Sequence, residues 1–109
     1  MPKVIKSPVK KFKGSVTLSE PLSFPQVIAF QDAIEAASKL ENITWQRLRF
    51  TLLPGILACV EKVEISGIDE APTVDSFPAT PLKECGELVD WLREEITSLL
   101  TDEEESPKE

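Results

Sequence analysis

The chain has 109 residues, 41% hydrophobic and 28% charged, with nine prolines and no long apolar run. That length supports one modest core and leaves no room for a separate catalytic domain, and the composition is that of a globular chain rather than a disordered or membrane-spanning one. The formal charge of −7 argues against nucleic acid as the main partner, because phosphate binding needs a positive field. The charge is also uneven: residues 1–13 carry five lysines and no acid, whereas residues 82–109 hold ten acids against Lys83, Arg93 and Lys108. No apolar segment follows the basic start within reach of a small-residue cleavage site, so the expected setting is intracellular.

In chain order, residues 1–22 form a basic segment in which β-branched residues alternate loosely with lysines. Gly14 and the run Ser15, Val16, Thr17, Leu18 follow, which suits one or two exposed strands. Lysines along such an edge discourage unwanted strand pairing. Ser23 with Gln26 is a capping-box pair, and Pro25 falls in the first turn, where its missing N–H costs little. An amphipathic helix is therefore expected over about 24–40, with Val27, Phe30, Ile34, Ala37 and Leu40 on its apolar side. Thr44 caps a second helix over about 44–61, with Trp45, Leu48, Leu52 and Ile56 inward. At its centre Pro54-Gly55 predicts either a kink or two short helices meeting.

Alternation of Val63 and Ile65 with Lys62, Glu64 and Ser66 favours a strand near 62–68 that ends at Gly67 and pairs with the N-terminal strand. The proline-rich stretch 69–81 reads as an ordered loop anchored by Phe77. The third helix, over about 81–101, buries Leu82, Cys85, Val89, Leu92, Ile96 and Leu99, with Leu88 and Trp91 alongside. Residues 102–109 carry no apolar side chain and are expected to form a disordered, mostly acidic tail. The sum is one α+β domain over 1–101, with three main helices and a small antiparallel sheet.

The chemistry-bearing residues point away from catalysis. The chain has no histidine and no tyrosine, which removes the commonest general acid and base, the commonest metal ligand and the usual Ser-His and Cys-His nucleophiles. The glycines at 14, 55, 67 and 86 are too dispersed for a phosphate loop. Glu84, Glu87, Asp90, Glu94 and Glu95 lack the spacing of a calcium loop and read as a solvated helix face. Cys59 and Cys85 read as reduced core residues, and Trp45 and Trp91 as packing residues. No catalytic, cofactor-binding or metal-binding residue is assigned, and the chain is expected not to be an enzyme. The one candidate partner contact is the basic arm Lys10, Lys11, Phe12 and Lys13, where an aromatic ring stands among positive charges that suit an acidic protein surface.

Residues 8 to 100 carry a set of spaced signatures: GSVTL at 14–18, FPQ at 24–26, LLPGILACVE at 52–61, FPATP at 77–81 and WLREEI at 91–96. Together they resemble the short tail assembly chaperones of long-tailed, siphovirus-type bacteriophages. The resemblance implies a protein of the host bacterial cytoplasm that binds the long, helix-rich tape measure protein, keeps it soluble, helps recruit tail tube protein and leaves before the virion is complete. It implies protein partners, with self-association open, and neither nucleic acid nor membrane. Two other classes fit the same residues: a minor structural or adaptor subunit of the tail, and an acidic inhibitor of a host protein. The lysine-rich start and the acidic end have no counterpart in the family pattern.

Overall fold

The sheet is built from the alternation seen in the sequence. In the computed structural model, which describes residues 3–42, 44–78 and 81–105, strands β1 (Lys3–Lys6), β2 (Gly14–Leu18) and β3 (Val60–Ile65) form an antiparallel sheet in the order β1-β2-β3. Register places Ile5 opposite Val16 and Val16 opposite Val63. All three are buried, and Leu18 and Ile65 extend the same apolar face. The other face carries Val4, Thr17 and Lys62 as its cross-strand row, together with Lys6, Ser15 and Glu64, so one face is dry and the other wet, as an antiparallel sheet permits. The sheet thus joins the N-terminal strands to the later one, with the β3 strand lying at 60–65 rather than 62–68. Leu18 pairs with Val60 while Thr17 pairs with Lys62, so Glu61 bulges out of register and accepts a 3.0 Å hydrogen bond from the Ser19 hydroxyl.

Between β1 and β2 a single 3-10 turn, Lys10–Phe12, reverses the chain. Gly14 then enters β2 with φ of +145°. Its missing side chain matters doubly there, since a Cβ would run into the carbonyl of Glu64 on the neighbouring strand.

Helix α1 spans Phe24–Ser38 with the expected capping box. The Ser23 N–H donates to Gln26 Oε1 at 2.7 Å and the Gln26 N–H to Ser23 Oγ at 3.3 Å. The Gln26 amide also donates to Ser19 Oγ at 2.8 Å and to the Ala58 carbonyl at 3.1 Å. One side chain therefore ties the start of α1 to the end of β2 and to the end of the second helix.

Helix α2 spans Trp45–Ala58, capped by Thr44, and runs through Pro54 without breaking. It stops three residues before the expected end because Val60 already belongs to β3. Pro54 is exposed, whereas Gly55 is buried, and the reason is the crossing with α1. A Cβ at Gly55 would lie 2.7 Å from Ala33 Cβ, 2.8 Å from the Ala29 carbonyl oxygen and 2.9 Å from Phe30 Cα. The two helices approach this closely only because their contact is made of small residues. That approach also turns α1 about its axis relative to the expected stripe. Phe30, Ala33 and Ala37 point inward, and Ile34 stands outside, 43% exposed.

After β3, Gly67 adopts φ of +90° in the reversing turn, and the Glu70 carbonyl accepts from the Val63 N–H at 2.8 Å, covering part of that sheet edge. Thr73 and Ser76 exchange backbone-to-side-chain hydrogen bonds of 2.8 and 3.1 Å and hold Phe77 in the core as the expected anchor. Helix α3 spans Leu82–Glu105. Its stripe of Cys85, Leu88, Val89, Leu92, Ile96 and Leu99 is buried, but Leu82 is not. The helix runs four residues into the segment expected to be a tail, as glutamate's good helix propensity allows. Positions 106–109 of that segment lie outside the described residues. Among the described residues no helix is long and apolar enough to cross a membrane.

The α1–α2 crossing yields a stability test. Gly55→Ala raises helix propensity yet overpacks the contact, so urea denaturation is expected to show a loss of about 2 kcal/mol. A gain would mean that the helices can move apart without cost.

Candidate partner-binding surface

The residues assigned to a contact arm in the sequence are separated by the fold. Lys10, Lys11 and Lys13 are exposed, but Phe12 is 7% exposed and belongs to the core. Its position in the 3-10 turn directs the ring inward, and its N–H donates to the Val9 carbonyl at 3.1 Å. The arm therefore offers charge without the aromatic ring. Lys3, at the other end of the β1–β2 hairpin, approaches Glu95 of α3 at 3.9 Å, a partly exposed pair of small energetic weight.

The other chemistry-bearing residues are committed to structure. Cys59 and Cys85 are free and buried. Burial pushes the Cys59 thiol up to about 11. Burial first, and the Glu84 charge second, raise Cys85. Both thiols are therefore poor nucleophiles near neutral pH. Among the described residues no cluster of three or more His, Cys, Asp or Glu side chains is arranged to hold a metal ion.

The surface with more to offer lies where α2 crosses α3. Arg49 reaches across and forks onto Asp90, with Nε to Oδ1 at 3.1 Å and Nη2 to Oδ2 at 2.8 Å. The bond to Asp90 raises the Arg49 pKa, partial desolvation opposes it, and the charges of Asp90 and Glu87 add to the rise. The guanidinium lies against Gly86, where a Cβ would fall 2.6 Å from Arg49 Cζ, and its Cζ is 5.8 Å from the centre of the Trp45 ring, within cation–π range. Trp45, expected in the core, is 68% exposed. As the first residue of α2, one turn from Arg49, it stacks on the bridge instead.

Two open grooves flank this bridge, and Arg49 forms a wall of both. The first, of about 450 Å³, runs between α2, the start of α3 and the 74–78 segment. Leu53, Phe77 and Cys85 floor it, while Phe50 and Leu82, 63% and 55% exposed, stand at its rim. The second, of about 560 Å³, is bounded by α1, α2 and α3 and lined by Ile34, Trp45, Leu48 and Leu52 among others. Of the seven large hydrophobic side chains exposed among the described residues, four border these grooves: Ile34, Trp45, Phe50 and Leu82. Exposed apolar side chains gathered around concave surfaces mark contact sites rather than ordinary surface.

The sequence carries a trace of this arrangement. Positions 45, 48, 49 and 52 and positions 46, 49, 50 and 53 are two adjacent helical faces of α2, each with large apolar side chains. A helix that is apolar on more than one face has more than one neighbour. Gly86 inside α3 was a second trace, since a helix-interior glycine usually marks a close approach.

Comparison of the chain with protein-family models, with curated proteins and with solved structures gave no match.

A thermodynamic cycle tests the seat of the bridge. Gly86→Ala alone is expected to be close to neutral, because the gain in helix propensity is offset by displacing Arg49 from Asp90. In an Arg49→Ala background the same change is expected to stabilise by about 1 kcal/mol. Equal effects in both backgrounds would show that Gly86 does not seat Arg49.

Proposed function

We propose that this protein is a tail assembly chaperone of a long-tailed bacteriophage. It binds the tape measure protein, keeps it soluble and helps recruit tail tube protein during tail morphogenesis. It acts without catalysis in the host cytoplasm and leaves before the virion is complete. The signatures behind the family resemblance fall on β2, the start of α1, the α2–β3 junction and α3, with Ala79 and Thr80 of the fourth outside the described residues. They lie in elements that build the fold, so they bear on the fold more than on a contact surface.

The observation that carries the holding role is the α2–α3 face, where Trp45, Phe50 and Leu82 stand exposed beside two grooves. A long amphipathic client exposes apolar stripes that aggregate in water. A small helical domain that lays such a face over them removes apolar area from solvent at about 25 cal/mol per Å². The same client in a tail lies against other subunits, so the holder must bind reversibly, and a small open surface suits that better than an enclosed one.

Co-expression tests the reading. The tape measure protein is expected in the soluble fraction with wild-type protein and in the pellet alone or with a Trp45→Asp, Phe50→Asp double variant. A client equally soluble with and without the wild-type protein contradicts it. Abundant copies in purified virions would favour the structural-subunit alternative.

A further inference from the structure

We propose that the first groove, between α2, the 74–78 segment and the start of α3, takes a single partner helix whose apolar face is flanked by lysine or arginine. The proposal rests on the client-holding reading and narrows it from a face to a site with a defined occupant.

The chemistry of the walls favours a helix over an extended strand. A bound strand must pair its backbone N–H and C=O groups. The polar side chains in this groove's lining are those of Gln46, Arg49 and Asp75, and Arg49 is already committed to Asp90. A helix satisfies its own backbone and presents apolar side chains at i, i+3, i+4 and i+7. Its anchors would enter over Leu53, Phe77 and Cys85, with Phe50 and Leu82 closing on them from the rim.

Charge selects among helices. By sequence α3 holds nine acids against Lys83 and Arg93. The chain's whole formal charge of −7 therefore equals that of this helix, and the remaining residues balance. Asp75 lies in one wall, and just outside the lining the charge of Glu87 acts on Arg49 and that of Glu84 on Cys85, while the one basic wall residue, Arg49, is paired with Asp90. A basic flank is attracted to this rim and an acidic one repelled. The same field disfavours a second copy of the chain, because docking two such faces brings two α3 helices of like charge together.

The test uses the full-length protein and two synthetic amphipathic helical peptides with one identical leucine face, flanked by lysine in one and by glutamate in the other. Calorimetry is expected to show the lysine peptide binding, with affinity falling as salt rises from about 50 to 300 mM, and the glutamate peptide binding about tenfold more weakly or not at all. Phe50→Ala with Leu82→Ala, which removes only exposed side chains, is expected to weaken the lysine peptide by about tenfold or more. Phe24→Ala, at an exposed residue of α1 that lines neither groove, is expected to change it by less than about twofold. Circular dichroism of each variant confirms that it remains folded.

Equal binding of the two peptides, no binding of either, or indifference to the Phe50 and Leu82 changes would each overturn the proposal. So would a dimer that these two changes dissociate, because the occupant would then be a second copy. If the Phe50 and Leu82 alanine variant still solubilises the client, the groove assignment fails and the holding role stands. If the peptide binds at the groove but the client stays insoluble with wild-type protein, the holding role fails and the groove stands.

Discussion

Arg49 occupies a seat made by a missing side chain. Gly86 leaves the space on α3, Asp90 one turn later fixes the guanidinium by two hydrogen bonds, and Trp45 one turn earlier on α2 covers it. The arrangement ties α2 to α3 at the surface through a polar contact rather than an apolar one. The ion pair bridges the two helices at the surface, and a groove opens on each side of it. With Asp90 40% exposed at its side chain, solvent screening limits what the bridge adds to stability. Its consequence is geometric more than energetic.

A second close approach, Gly55 against Ala29, Phe30 and Ala33, works on the other side of α2. It draws α1 in and rotates Ile34 out of the core to line the second groove. Helix α2 is thus fixed on one side by a tight contact with α1 and on the other by the Arg49–Asp90 bridge to α3. Trp45 and Phe50 of α2 stay exposed on this face, as does Leu82 of α3 across the first groove. Exposure of these residues follows from packing that is complete elsewhere: Phe30, Leu18, Ile56, Leu88, Leu92 and Ile96 are fully buried, and no buried side-chain polar atom lacks a partner among the described residues.

Much of the fold was legible in the sequence because it rests on local patterns. The Ser23–Gln26 capping box, the alternation in β2 and β3, the Phe77 anchor and the α3 stripe each follow from spacing over a few residues. The errors share one cause. Helical periodicity puts Ile34, Trp45 and Leu82 inward, but which way a helix faces is decided by its neighbours, for Ile34 and Trp45 by the close approaches at Gly55 and Gly86. Phe12 was read as a surface ring because lysines surround it, although the 3-10 turn points it into the core. The contact surface was the least legible part, since it depends on Arg49 and Gly86, residues 37 positions apart in the sequence, meeting across two helices. The electrical polarity was visible at once, and the structure places its acidic pole along the helix that forms one wall of the first groove.

Side-chain footprinting by hydroxyl radicals on the complex with the co-purified client addresses the central claim most directly, because exposed aromatic rings on different faces of the molecule report independently. Protection of Trp45 and Phe50, with Phe24 on α1 as reactive as in the free protein, is the result expected if the α2–α3 face holds the client. Protection of Phe24 with Trp45 and Phe50 unchanged would place the client elsewhere and contradict it.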